Sequence, residues 1–316
     1  MTEHYITLFN YNYLPQGLTM FFSLKKNYKD FVLWIVCMDK KVENFFLKKK
    51  FKEIRIIPLR NLENKPLIKV KKKRKFVEYC WTLTPFLPNY VFKRNKSLRK
   101  ITYVDADIFF YKSPFKIIKE FKDSKKSIFL TEHGFHPNHD ISDISGRFCV
   151  QYMIYKNDVH CEKILKWWQD KCLDWCHDYP DNGRLGDQKY LDEWPKLFKN
   201  KIHISRNKKF FQAPWTFDRF KTKDKIIYHF HGLKINSNKI YVYNNYGFSK
   251  EIINKTYLPY CKALKKTLKK IKFVFCQDVK PFSFSSRVKI WVKYNFFKKK
   301  NLNHLVFDLK SINEKN

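Results

Sequence analysis

The chain has 316 residues, 44% hydrophobic and 18% aromatic, enough to bury the core of one large α/β domain with an appendage, which excludes a disordered chain. Its formal net charge of +36 makes a surface that attracts phosphates, nucleic acid and anionic lipid, although richness in Lys and Asn over only 7 glycines accounts for part of the excess as compositional drift. Glu3 and His4 interrupt the basic start of a signal peptide, and the longest apolar run, Phe31 to Met38, is far short of the ~18 residues of a membrane span, so the chain is expected to be cytoplasmic.

In chain order, Tyr5 to Phe9 predicts a strand, followed by the polar turn Asn10-Tyr11-Asn12-Tyr13 and a helix with Leu14, Leu18, Phe21, Phe22 and Leu24 on its apolar face. Phe31 to Met38 is apolar throughout, as in a strand buried on both faces of a parallel sheet. Val42 to Lys50 predicts a short helix and Ile54 to Ile57 a third strand, which together make a doubly wound α/β start. A basic run ending near Arg74 precedes Phe76 to Phe92, where Pro85 and Pro88 divide the segment into short helices or a turn.

Ile101 to Val104 reads as a short buried strand that delivers Asp105-Ala106-Asp107 to its carboxyl end, the edge at which open α/β sheets bind ligands. Two carboxylates there suit Mg²⁺ or Mn²⁺ with substrate phosphates filling the other positions. The competing reading is a solvated Asp pair in a turn, and the apolar residues on both sides of the pair leave the two evenly matched.

Ser113-Pro114 predicts a helix start with Ser as cap, and Ser127 to Thr131 a strand leading to a loop with His133, His136 and His139. Those histidines read as solvated or acceptor-binding ahead of metal ligands. Phe148 to Tyr155 predicts a strand, and Asp158 the cap of a helix through Trp175. The eight cysteines fit reduced thiols, and Cys172, Cys176 and His177 without a second Cys pair read as core or boundary residues before a zinc site. Gly186-Asp187-Gln188 predicts a helix start whose free N–H groups favour an oxygen-rich ligand, with Asp187 as a plain N-cap the alternative. Finally Ile226 to Lys234 delivers His229, His231, Gly232 and Lys234 from an apolar strand, a set suited to completing a metal shell and holding a diphosphate.

With these residues in place, roughly positions 5 to 235 resemble a nucleotide-sugar-dependent glycosyltransferase of the GT-A fold, most like glycosyltransferase family 8, the group of glycogenin and the bacterial lipooligosaccharide galactosyltransferases. The chain also resembles bacterial nucleotide-diphospho-sugar transferases from surface-polysaccharide loci. Three motifs carry the likeness in family order: Asp105-Ala106-Asp107, Gly186-Asp187-Gln188 with Leu191, and His229-x-x-Gly232.

The resemblance implies a GT-A, Rossmann-like α/β fold with a mixed, mostly parallel sheet flanked by helices. It implies that Asp105, Asp107 and His229 bind Mn²⁺ or Mg²⁺ on the donor diphosphate, and that Asp187 and Gln188 orient the sugar as the catalytic pair. Lys234 would meet the phosphates, but it follows Gly232 by two residues where the family has three, which makes His231 an alternative ligand to His229. The same likeness puts Thr7, Asn10 and Tyr13 at the nucleobase and ribose, and Arg74 and Ala106 with the donor. The implied cofactor is a nucleoside diphosphate sugar, a UDP-sugar first among them. The implied reaction is retaining transfer of the sugar to a hydroxyl of a saccharide or lipid-linked saccharide.

Residues 1–254 are expected to form the GT-A domain and 255–316 a basic helical extension with only three acids, Asp278, Asp308 and Glu314. Cys261, Leu264, Leu268 and Ile271 share one helical face among lysines, and Arg287 to Phe297 mixes aromatics with lysines, a pattern of peripheral attachment to anionic membrane. A basic helix packed on the domain is the equal alternative. Nucleic-acid binding through the positive charge is a further reading. It is set aside because no helix-turn-helix signal, zinc-finger spacing or RNP-like segment is present and the acids gather in the three motifs, so no nucleic-acid partner is expected. A non-catalytic GT-A-like subunit is the last alternative.

Overall fold

The computed structural model describes residues 2–243, 246–275 and 304–312. Its main sheet has seven strands in the order β3-β2-β1-β4-β7-β6-β8. They are β1 Glu3–Phe9, β2 Phe31–Cys37, β3 Ile54–Pro58, β4 Lys100–Val104, β6 Ile128–Glu132, β7 Phe148–Lys156 and β8 Ile202–Ile204. Strands β3, β2, β1 and β4 run parallel, β7 pairs antiparallel with both β4 and β6, and β8 is parallel to β6, so the sheet is mixed and mostly parallel.

Two apolar layers enclose the sheet. Ile6, Leu8, Ile101, Tyr103, Met153 and Tyr155 pack under the helices Phe76–Leu83, Leu87–Arg94 and Val159–Asp174. On the other face Tyr5, Phe9, Val104, Tyr152 and Ile154 meet the helices Leu14–Asn27 and Lys40–Lys48. Asp39 caps the second of these by accepting the Val42 N–H at 2.9 Å, and Asp158 caps Val159–Asp174 through the N–H groups of His160 and Cys161. Pro85 and Pro88 stand in the first turns of consecutive short elements, where a missing N–H costs nothing.

Several boundaries depart from expectation. The helix predicted from Ser113 begins at Phe115, with Pro114 as the flanking residue, while the Ser113 hydroxyl takes only the Phe115 N–H. The helix expected at Gly186 is a turn followed by a 3₁₀ segment, Lys189–Glu193, because Gly186 adopts φ +55°. The basic run before Arg74 contains a helix, Lys65–Lys71, whose Asn64 cap the sequence reading passed over.

A small second sheet sits at the carboxyl edge: β5 Ile108–Phe110 pairs antiparallel with β10 Ile227–His229, which is parallel to β9 Phe211–Gln212. A third sheet joins β11 Leu233–Ile235, β12 Lys239–Tyr243 and β13 His304–Asp308.

The C-terminal helix Leu258–Ile271 lies against the first helix, with Tyr260, Cys261 and Leu264 fully buried and the Thr19 and Thr267 hydroxyls 3.0 Å apart. Its apolar face is therefore covered by protein. The basic aromatic stretch Arg287 to Phe297 lies outside the described residues. Among the described residues no helix is long and apolar enough to cross a membrane.

Candidate active site

Strand β4 ends at Val104, and the Asp105 N–H still reaches the Gln151 carbonyl of β7 at 3.1 Å. The chain then turns, with the Ile108 N–H on the Asp105 carbonyl at 3.3 Å, and leaves the main sheet as β5. Because β5 pairs with β10, Ile108 stands opposite His229 and the Phe230 N–H bonds the Asp107 carbonyl at 2.9 Å. Backbone pairing, rather than side-chain attraction alone, brings the third motif to the first. Ala106, 8% exposed, turns into the apolar layer below, where a small residue lets the turn sit close to the sheet.

His229 Nε2 lies 3.1 Å from Asp107 Oδ1 and 3.7 Å from Asp105 Oδ2. One ligand atom from each of Asp105, Asp107 and His229 falls within 4.8 Å of the others, and among the described residues this is the one group of three with that geometry. Tyr103, two residues earlier on β4, donates its hydroxyl to Asp105 Oδ1 at 2.7 Å and fixes that carboxylate. Burial, partly offset by the His229 imidazolium, raises the Asp105 carboxyl above its ordinary range. Burial also opposes ionisation of Asp107, but the imidazolium outweighs it and holds that carboxyl low. His229 gains correspondingly: burial works against its charge, and the Asp107 carboxylate overrides this and holds the imidazolium well above the usual range. Two carboxylate oxygens and one imidazole nitrogen, which would give up its proton on binding, fit a divalent cation such as Mn²⁺ or Mg²⁺ as donors.

Asp187 joins the same region. It is 5% exposed, its Oδ2 has no hydrogen-bond partner, and burial together with the Asp105 charge raises its carboxyl well above the usual range. Its carbonyl accepts the Trp168 indole N–H at 2.8 Å, and a Cβ on Gly186 would stand 3.3 Å from the Trp81 ring, so glycine is needed for both conformation and space. Gln188 points elsewhere, donating its amide to the Ser145 carbonyl at 3.0 Å and tying the Ser142–Ser145 turn to this segment.

The remaining predicted residues divide. Thr7 is fully buried with an unpartnered hydroxyl. Asn10 accepts the Tyr13 N–H at 3.3 Å and shapes the turn, and Tyr13, 43% exposed, stands in the field of Asp107 and Asp105. Asp39 Oδ2 takes the Tyr11 N–H at 2.8 Å and joins the loops after β1 and β2, a role signalled only by its place after an apolar strand.

Arg74 is not brought to this group. Its guanidinium bonds the Thr82 hydroxyl and the carbonyls of Cys172 and Leu173, the last at 3.0 Å, where it caps the end of Val159–Asp174. Gly232 has φ +77° and makes the turn between β10 and β11, and Lys234 is exposed on β11 opposite Tyr241. His231 lies outside the group of three, with its ring 5.7 Å from that of His229.

Sequence reasoning missed the aromatic and thiol wall. Trp215 stands edge-on to His229 at 5.4 Å and donates its indole N–H to the His133 carbonyl at 2.8 Å. Cys149 is buried beside His133 and His229; burial works against the thiolate, yet these imidazoles, His133 foremost, hold the thiol at about 7. The signal for Trp215 was the Pro214-Trp215 pair ahead of the strand. Cys149 carried none. The Cys172 and Cys176 thiols are buried core residues, and His177 Nδ1 stands 3.2 Å from Glu78.

No family model matches the chain. It is 32% identical over 210 residues to the uncharacterized protein YfnF of Bacillus subtilis (strain 168), across 65% of this chain and 69% of YfnF. It is 27% identical over 290 residues to the uncharacterized protein YfnD of the same organism, across 87% of this chain and 92% of YfnD. Among solved structures, the glycosyltransferase GlyE of Streptococcus pneumoniae TIGR4 superposes with TM-score 0.51 at 14% identity, covering 88% of this chain and 67% of GlyE. The bifunctional glycosyltransferase WbbM superposes with TM-score 0.52 at 10% identity, covering 86% of this chain and 51% of WbbM. The galactosyltransferase LgtC, solved with donor and acceptor sugar analogues, gives TM-score 0.50 at 12% identity, covering 72% of this chain and 86% of LgtC. The shared architecture is the GT-A fold.

Proposed function

Since the chain belongs to the family of the Bacillus subtilis protein YfnF and has the GT-A fold, we propose that it transfers a sugar from a nucleoside diphosphate sugar to a hydroxyl of a saccharide acceptor. The observation that carries this reading is the convergence of Asp105, Asp107 and His229 at the carboxyl edge of the sheet, with the buried Asp187, one of whose carboxylate oxygens has no hydrogen-bond partner, in the same region. Asp105, Asp107 and His229 would hold the divalent cation. When bound, that cation neutralises charge developing on the departing diphosphate.

The protein's own groups do the rest. Tyr103 fixes the Asp105 carboxylate, and Trp215 walls one side of His229 and excludes water there. Asp187, held at high pKa, offers a carboxyl that can hydrogen-bond a sugar hydroxyl in either protonation state. Gln188 ties the Ser142–Ser145 turn to the segment that carries Asp187. Thr7 and Tyr13 form the nucleoside end, a UDP-sugar is the expected donor, and transfer proceeds with retention. A lipid-linked saccharide in surface polysaccharide or lipopolysaccharide synthesis is the acceptor class that suits the basic C-terminal lysines, which would meet an anionic membrane surface peripherally through charge.

Release of sugar from a panel of UDP-, GDP- and CDP-sugars, with Mn²⁺ or with chelator, tests the reading. Mn²⁺-dependent turnover of one donor that is lost in Asp107→Asn supports it, and turnover indifferent to both metal and Asp107→Asn refutes it.

A further inference from the structure

Four tyrosines gather where the C-terminal helix Leu258–Ile271 meets the small sheet at the carboxyl edge, and three of them are satisfied. Tyr111 donates to the Thr256 carbonyl, and the hydroxyls of Tyr228 and Tyr257 are 3.1 Å apart. The fourth, Tyr260, is fully buried and its hydroxyl has no partner. A buried hydroxyl without a hydrogen bond is costly, and phenylalanine would fill the same space without that cost. The fold alone gives no reason for the oxygen.

The position of Tyr260 supplies one. Its ring lies flat on Phe230, centroids 3.7 Å apart and planes 13° from parallel, and edge-on to Phe109 at 5.6 Å. Phe230 follows the metal-ligand candidate His229 and bonds Asp107 through its backbone N–H at 2.9 Å, and Phe109 is two residues beyond Asp107. After burial itself, the Asp107 carboxylate is the strongest influence on the Tyr260 phenol, and Tyr13 also acts on it. The helix is held in register by the Thr19–Thr267 contact and by Tyr11, next to the Asn10–Tyr13 turn, stacked on Phe273 at 4.9 Å.

We propose that Tyr260 is a binding residue of the donor site, its phenol O–H donating to a diphosphate oxygen of the bound nucleotide. The C-terminal helix thereby contributes a group to a site whose other named residues all lie within 1–254. The inference rests on the nucleotide-sugar reading above and extends it to a segment outside the three motifs.

Tyr260→Phe removes only the oxygen and keeps both ring contacts. Thermal unfolding and calorimetric titration with UDP, GDP and CDP, each with Mn²⁺, on the full chain give the test. In the variant, the ligand-free protein should melt at the same temperature or higher, while the affinity for the diphosphate that the wild type binds falls about tenfold or more. A structural role alone would instead lower the ligand-free melting temperature and leave affinity unchanged, and equal affinity in the two proteins overturns the proposal by itself. If the wild type binds none of the three nucleotides with Mn²⁺, the donor reading fails and this proposal falls with it.

Discussion

His229 Nε2 and Asp107 Oδ1 stand 3.1 Å apart because the strands that carry them, β10 and β5, are hydrogen-bonded neighbours outside the main sheet. The contact is thus set by the backbone, and exchanging either side chain leaves the strands paired. Replacing His229 with Asn should abolish the Mn²⁺-induced rise in melting temperature and lower turnover ~10²–10³-fold. His231→Asn should leave the Mn²⁺ shift intact, since His231 lies outside the ligand group. Equal losses in the two variants would reverse the assignment.

Arg74 separates a structural role from a ligand role. Its guanidinium caps the carbonyls of Cys172 and Leu173, so Arg74→Met should cost about 1–3 kcal/mol in urea unfolding. Nucleotide affinity of the folded fraction should not change. A variant of normal stability with weakened diphosphate binding would place Arg74 at the donor after all.

Gly232 has φ +77°, and a Cβ there would stand 3.0 Å from the Tyr243 carbonyl oxygen. Gly232→Ala should therefore destabilise the chain by about 1–3 kcal/mol. Because the turn follows His229 directly, the Mn²⁺-induced shift should shrink as well, which paired thermal melts with and without the ion would show.

Lys225 gives a pH dependence of its own. Burial, reinforced by Lys112, lowers its pKa from 10.5 to about 8, while its ammonium donates to the Thr222 and Lys255 carbonyls. Between those two values the unfolded chain binds the proton and the folded chain does not, so the penalty, full below pH 8, is relieved as pH rises toward 10.5. Unfolding free energy of the wild type, measured against Lys225→Met, should rise across that window by on the order of 1–3 kcal/mol. A flat difference would contradict the depressed pKa.

The parts of the site that the sequence revealed are those where an apolar strand ends on a polar residue. Ile101 to Val104 before Asp105 and Ile227-Tyr228 before His229 both announce themselves, and the parallel order of β3-β2-β1-β4 follows from alternating strands and helices. What stayed hidden depends on pairing between distant segments. Nothing local shows that β5 leaves the main sheet for β10, and so the choice of His229 over His231 rests on the His-x-x-Gly likeness alone. Trp215, Cys149 and Tyr260 are apolar or weakly polar residues in apolar surroundings, where periodicity reports burial and stays silent about a neighbouring ligand. Arg74 is placed with the donor by the family likeness alone, whereas in the fold its donors satisfy a helix end.

The stacking of Phe273 on Tyr11, with Thr267 against Thr19, also governs how the gene can be cut and recombined. A chain ended before Lys255 would strip the cover from the first helix and unseat the turn that carries Tyr13. Chimeras between relatives should therefore take the first helix and the C-terminal helix from the same parent, whatever lies between them.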